Sequence, residues 1–236
     1  MFAILMLGFL IGMKHALEAD HVAAVASLAT RSRSVIDTCR QGAAWGVGHT
    51  LTLLVFGGLV LVVDTVIPER LAQGLELAVG LMLVLLGADV LRRLVTERVH
   101  FHLHRHGEQL HVHAHAHEPG GDHSRDPHAH SHPSGLPLRS LLVGMMHGMA
   151  GSAALIILTL GTVQSPWEGL AYILLFGLGS VVGMALLALA IAIPLRYSAR
   201  RLTVAHNALK AVVGLATLGL GGTLVYEIGI VGGLLV

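Results

Sequence analysis

The segment Lys14-His15-Ala16-Leu17-Glu18-Ala19-Asp20-His21 sets two imidazoles and two carboxylates between an apolar run from Phe2 to Met13 and another from Val22 to Ala29. Ionisable groups at such a depth cost roughly 2.5–3.5 kcal/mol each on insertion scales unless they pair or line a wet cavity. Their concentration here therefore points to function. On a helix at 100° per residue, His15, Glu18 and His21 form one slanting stripe and can converge on one ligand. Asp20 points away from Glu18 on a straight helix. It either holds an imidazole in one tautomer from behind or, where the helix unwinds, enters the site itself. Imidazole nitrogen combined with carboxylate oxygen suits divalent first-row ions such as Ni, Co and Zn, whereas Mg and Ca favour oxygen alone. The competing reading is a self-paired polar set, with Lys14 against Glu18 and a histidine against Asp20.

The elements that carry these groups follow from composition. With 54% hydrophobic residues, 12% charged and a mean hydropathy of +0.73, the chain lies far from the soluble average of about 25% charged. It reads as an all-α integral membrane protein. A formal charge of +1 offers no field for nucleic acid. Six stretches are long and apolar enough to cross about 30 Å of hydrocarbon: 2–29, 42–63, 71–94, 138–163, 168–194 and 207–231. Met1 to Met13 has no basic leader and runs directly into the polar motif, so the first span is expected to be retained. Cys39 is the only cysteine, which excludes an internal disulfide, and it reads as a bystander.

Arginines set the orientation. Arg31, Arg33 and Arg40 lie between the first two spans; Arg92, Arg93, Arg98, Arg105, Arg125 and Arg139 flank or occupy the third connection; Arg196, Arg200 and Arg201 lie in the fifth. Arg70 alone falls in the second and fourth connections, so the odd connections are expected in the cytoplasm and both termini outside. Trp45 and Trp167, each near a helix start, read as interfacial anchors. Within this frame His49, His21 and His147 reach similar depths, roughly 10–12 Å from the cytoplasmic side for the first two. They can meet, while His15 lies nearer the outside and His206 at the interface. The small neighbours Gly48 and Thr50 let another helix approach His49.

The two halves echo each other. Gly12-Met13-Lys14-His15 recurs as Gly144-Met145-Met146-His147, the Gly-Val-Gly-His of Gly46–His49 as the Gly-Leu-Gly-Ser of Gly177–Ser180, and Gly80 and Gly87 as Gly214 and Gly221. Three spans per unit would turn the second copy upside down, the 3+3 inverted-repeat plan in which a substrate site lies near the midplane between the repeats. The expected organisation is a first three-helix repeat over 1–95, a histidine-rich loop over 96–137 and a second repeat over 138–236. Twelve of the 17 histidines occupy that loop, from His100 to His132, mostly at alternate positions. With few apolar groups it reads as disordered and cytoplasmic, a weak and unselective store or sensor for Ni, Co, Zn or Cu, or a solvated linker.

His15-Ala-Leu-Glu-Ala-Asp20-His21 resembles the H-x4-D-H signature of the nickel/cobalt transporter (NiCoT) family and of its shorter relatives, the urease-accessory-type nickel permeases. In that family the two histidines and the aspartate are required for transport, which the resemblance carries to His15, Asp20 and His21. Glu18 stands where the best-known members have a second aspartate, and Lys14 where they usually have arginine. Gly48-His49-Thr50 supports the resemblance on the next helix, and elsewhere it is only architectural. The implied function is transport of divalent nickel or cobalt across a prokaryotic inner membrane, with uptake favoured, His15, Glu18, Asp20, His21, His49 and His147 as candidate metal ligands, no cofactor, and urease or hydrogenase maturation factors as candidate partners. Rival readings are nickel/cobalt efflux, an anion or amino-acid exporter of the sulfite-exporter type, and a metal sensor or assembly factor for urease or hydrogenase that uses the histidine loop and not the pore.

Overall fold

The computed structural model describes residues 2–32, 34–63, 68–96, 100–106, 109–115, 137–160, 165–201 and 203–235. Its helices are α1 (Phe2–His15), α2 (Ala19–Ala29), α3 (Val35–Val63), α4 (Glu69–Thr96), α5 (Leu138–Leu160), α6 (Pro166–Arg201) and α7 (Thr203–Tyr226), which runs into a π-helical turn at Glu227–Val231. Among the described residues, four of them, within α3, α4, α6 and α7 with its π turn, are long and apolar enough to cross a membrane. Their outward side chains are apolar too, among them Leu85, Leu186, Val212 and Leu215. A multi-pass membrane protein follows, because such a surface is stable only against lipid tails.

The first apolar stretch is not one helix. α1 closes with two tight turns, Leu17 N–H donating to the Lys14 carbonyl at 2.9 Å and Glu18 N–H to that of His15 at 3.0 Å. Glu18 is extended, at φ −64° and ψ 147°, and α2 then begins, with Val22 N–H on the Glu18 carbonyl at 2.9 Å. The slanting stripe expected of a straight helix is therefore interrupted between His15 and His21. Asp20 falls in the first turn of α2, where the helix dipole favours a carboxylate.

Local sequence explains the other helix starts. Ser34 Oγ accepts from Asp37 N–H at 3.0 Å at the head of α3. Ser165 Oγ accepts from Glu168 N–H at 3.3 Å just before Pro166 opens α6, the serine-cap and first-turn-proline pattern. α6 continues past Pro194 to Arg201, whereas the span expected from sequence ends there; proline is tolerated inside membrane helices because neighbours re-satisfy the freed backbone.

α3 is the central helix, packed against both α5 and α6, while α1 packs on α6 and α4 on α7. The core includes Trp45, Leu83 and Met184, with a second cluster at Leu53, Ile173 and Phe176. Trp45 is 0% exposed, so it is a core residue and not the interfacial anchor expected of it; Trp167, at 80%, keeps an anchor's exposure. Helices approach where side chains are smallest. A Cβ at Gly12 would strike the Phe176 carbonyl, and one at Gly144 would strike that of Trp45. Likewise Gly48 abuts the Leu141 carbonyl and Gly179 that of Phe9, and Gly87 abuts Leu218 N as Gly221 abuts Val84 N. Each member of these pairs lies 131, 132 or 134 residues from its counterpart, and so do their contact partners.

Hydroxyls add cross-links. Ser27 Oγ and Thr217 Oγ1, both buried, lie 3.0 Å apart between α2 and α7, and Ser180 Oγ donates to the Gly12 carbonyl at 3.2 Å. At the arginine-rich end, Asp89 accepts from Arg31 and, at 3.1 Å, from Arg93, tying α4 to the end of α2. His206 Nδ1 lies 3.2 Å from Ser198 Oγ across the turn from α6 to α7.

The histidine-rich segment differs from expectation. Residues 100–106 and 109–115 form an antiparallel hairpin, β1 and β2, instead of the disordered coil read from composition. Alternation explains it: the register pairs position His100 with His115, His102 with His113 and His104 with His111, while Phe101, Leu103, Leu110 and Val112 supply β-compatible residues in between. His117, His123, His128, His130 and His132 lie outside the described residues, as do Arg33, Arg98 and Arg125.

Candidate metal centre

The break after α1 allows the motif to fold back on itself. His15 ends α1, Asp20 and His21 open α2, His49 lies midway along α3 and His147 in the first half of α5. Four imidazoles from four helices meet. The His21 ring lies 4.3 Å from that of His15, 4.1 Å from that of His147 and 5.4 Å from that of His49. His15 is thus beside His21 and not displaced toward the outside, because the extended Glu18 redirects the chain. α3 begins at Val35, seven residues before the expected span, which places His49 about 20 Å along the helix at 1.5 Å per residue.

Asp20 knits the cluster together. One carboxylate oxygen accepts from His21 Nδ1 at 2.9 Å and the other from His147 Nε2 at 3.0 Å. The sequence left two roles open for Asp20, and the geometry accommodates both: it orients two imidazoles and is itself within ligand range. Glu18 turns elsewhere. Its carboxylate accepts from His15 Nδ1 at 2.8 Å with its side chain 57% exposed, and it joins neither ligand group formed by the others. Of the competing self-paired reading, the histidine–Asp20 contact is present, whereas the Lys14–Glu18 pair is absent from the ion pairs among the described residues, because the break moves Glu18 onto His15.

Among the described residues, four buried nitrogens of this cluster have no hydrogen-bond partner: His21 Nε2, both nitrogens of His49, and His147 Nδ1. Leaving a buried polar atom unsatisfied costs about 1–3 kcal/mol. One nitrogen of a neutral His49 carries a hydrogen, so at most three of the four offer a lone pair, which is the electron-pair set a divalent cation can use. The donor atoms of His15, His21 and His49 lie within 4.8 Å of one another, and so do those of Asp20, His21 and His147. Around an ion bound at about 2.0–2.1 Å, tetrahedral donors stand about 3.3 Å apart, so either group closes on a cation by small side-chain shifts. The chemistry is that of a site for borderline divalent ions; for an anion it would be the wrong sign, given Asp20.

Trp45 and Phe176 are the neighbours that the sequence did not mark as part of the centre. His147 packs on Trp45 at 5.7 Å between ring centroids and His15 on Phe176 at 5.3 Å, so each terminal imidazole is braced by an aromatic from another helix. The signal was present in Trp45-Gly46-Val47-Gly48-His49 and Phe176-Gly177-Leu178-Gly179-Ser180, matching segments that each open on an aromatic.

Across known proteins, the chain is 37% identical over 98% of its length to the urease accessory protein UreH of Bacillus sp. (strain TB-90), covering 94% of that protein. It is 28% identical over 75% of its length to the chloroplast protein FOR GROWTH AND FERTILITY 1 of Arabidopsis thaliana, covering 46% of it. No protein-family profile matches the chain. No solved structure matches it either.

Proposed function

The chain belongs to the family of the urease accessory protein UreH, and from that premise we propose that it carries nickel or cobalt ions across a prokaryotic inner membrane, in the direction of uptake. The observation that carries this reading is the set of unpartnered buried nitrogens on His21, His49 and His147 beside Asp20, inside a bundle of apolar helices. A urease accessory role gives nickel a destination, and maturation factors of urease or hydrogenase are the partners it implies. The resemblance of His15–His21 to the nickel/cobalt transporter signature supports the same substrate, with His15, Asp20, His21, His49 and His147 as ligands and Glu18 at the exposed edge.

The architecture proposed is six spans in two inverted repeats, 1–95 and 138–236, with α1 and α2 together making the first span and α5 the fourth. The recurrence of helix contacts supports it: α1 lies on α6 as α5 lies on α3, and Gly12 meets Phe176 as Gly144 meets Trp45. A site between such repeats suits alternating access. Termini outside and histidine tract inside follow from the arginine distribution. Membrane potential supplies direction, since two charges moving inward gain about 4.6 kcal/mol per 100 mV. Purified protein in liposomes with an inside-negative potential is expected to admit Ni²⁺ or Co²⁺ and to exclude Mg²⁺ and Ca²⁺. Absence of any divalent flux, or flux of sulfite or amino acids instead, would overturn the reading.

The histidine hairpin is a store beside this pathway. Its alternating imidazoles follow the general Irving–Williams order, with Cu²⁺ ahead of Ni²⁺ and Co²⁺, whereas a membrane site of set geometry departs from it. Deleting 101–133 is expected to lower the number of ions bound per protein, to change the concentration for half-maximal flux by less than about tenfold, and to leave the preference among Ni, Co and Zn unchanged. Calorimetry and liposome flux on the same deletion check it; a switch of the carried metal would place the hairpin in the pathway.

A further inference from the structure

We propose that the centre is two overlapping three-ligand positions sharing His21, and that the ion steps from one to the other during transport; this rests on the transport reading above. One position is His15, His21 and His49, and the other is Asp20, His21 and His147. His15 and His147 fall together in neither group, and the His21 ring stands between theirs at 4.3 and 4.1 Å.

The two nitrogens of His21 differ in the way such sharing requires. Nδ1 donates to Asp20 at 2.9 Å, while Nε2 is buried and unpartnered. A neutral imidazole has one lone pair, so His21 serves one position at a time. With the ring hydrogen on Nδ1 the lone pair on Nε2 is free for an ion. Filling the Asp20 position through Nδ1 requires that hydrogen to pass to the adjacent Asp20 carboxylate or to water and another to be taken up at Nε2, whereas His147, whose Nε2 donates to Asp20, already offers the lone pair of its unpartnered Nδ1. The proton given up at Nδ1 is matched by the one taken up at Nε2, so none is released overall. One ion at a time is the result.

Access follows the same division. The His21, His49 and His147 residues are 1%, 0% and 2% exposed, whereas the His15 side chain is 15% exposed and that of Asp20 29%. Each position therefore has one member that reaches the surface and is otherwise closed. His15 and His147 also occupy matching places in the two halves, 132 residues apart, braced respectively by Phe176 and by Trp45, themselves 131 apart. A site whose two positions open through different members, His15 in one and Asp20 in the other, needs no large displacement of the ion, only its transfer across one imidazole.

The two positions also differ in donor type, three nitrogens against two nitrogens and a carboxylate, which a bound Co²⁺ reports in its visible absorption spectrum. The test is Co²⁺ titration of the full chain in detergent, read at the first equivalent, alongside Co²⁺ flux in liposomes, for the protein and for His15→Ala, His147→Ala and the double variant. Each single variant is expected to keep Co²⁺ binding within about tenfold, with spectra that differ from one another, and to lose flux by more than tenfold; the double variant is expected to lose both. Gln replacements, closer in size, are measured in parallel and must give the same pattern. Loss of binding by more than a hundredfold in either single variant of both series would overturn the inference in favour of one site built from all five residues, with the transport reading intact. Flux above half in both single variants would overturn it as well. Neither binding nor flux in the unaltered chain would remove the transport reading and this inference together.

Discussion

His21→Ala is expected to reduce Ni²⁺ or Co²⁺ flux by more than about 100-fold, because loss of even an outer partner of a metal-binding imidazole costs 10–100-fold and His21 is the ligand both groups share. Stability should change much less. The substitution leaves a cavity at a side chain that is 1% exposed and takes one partner from Asp20, which destabilises. It also removes the unpartnered Nε2, which recovers about 1–3 kcal/mol of desolvation. The net shift is expected within about 2 kcal/mol, so the variant accumulates in the membrane. Tagged-protein levels and a melting curve in detergent, measured beside liposome flux, separate the two effects. Glu18→Ala is the contrast: its carboxylate is outside both ligand groups and its side chain is 57% exposed, so flux is expected to stay within about tenfold. Normal flux in His21→Ala would remove the proposed centre.

Gly48→Ala and Gly179→Ala form the second test, directed at architecture. In each case the new methyl group meets a main-chain carbonyl, that of Leu141 for Gly48 and that of Phe9 for Gly179, and neither obstacle can rotate away as a side chain would. Overpacking of this kind costs about 1–3 kcal/mol and at times more. Gly74 and Gly222 sit in helices where an added methyl group would have nothing within 4 Å, so alanine there is expected to be neutral or to stabilise by up to about 1 kcal/mol through helix propensity. If the halves are inverted copies, Gly48→Ala and Gly179→Ala should lower the unfolding midpoint by similar amounts, within a factor of about two. A pair in which one substitution is neutral and the other severe would count against equivalent packing, and with it against the 3+3 plan.

Much of the centre was legible before any fold was known. Polar residues surrounded by apolar ones announce themselves, since their desolvation has to be offset, and this singled out His15, Glu18, Asp20, His21, His49 and His147. The matched glycine patterns were likewise readable, because close helix approach demands small residues wherever it occurs. Ser165-Pro166 and Ser34 marked helix starts through side-chain chemistry that acts within a few residues.

The tertiary structure alone decided which of these groups meet. Helical periodicity presumes a continuous helix, and Glu18 at ψ 147° ends that presumption; it takes Glu18 out of the cluster and brings Asp20 in, against His21 and His147. Trp45 shows the same limit. Its position near the expected span start suggested an anchor, but α3 begins at Val35, ten residues earlier, and carries it into the core against His147. Composition also misjudged 100–115, where alternation, a property of order and not of content, pairs two strands. Sequence determined which residues cannot rest in lipid without a reason, because that cost belongs to each side chain by itself. Their grouping into two sets around His21 depends on distances between helices far apart in the chain, which no local energy term specifies.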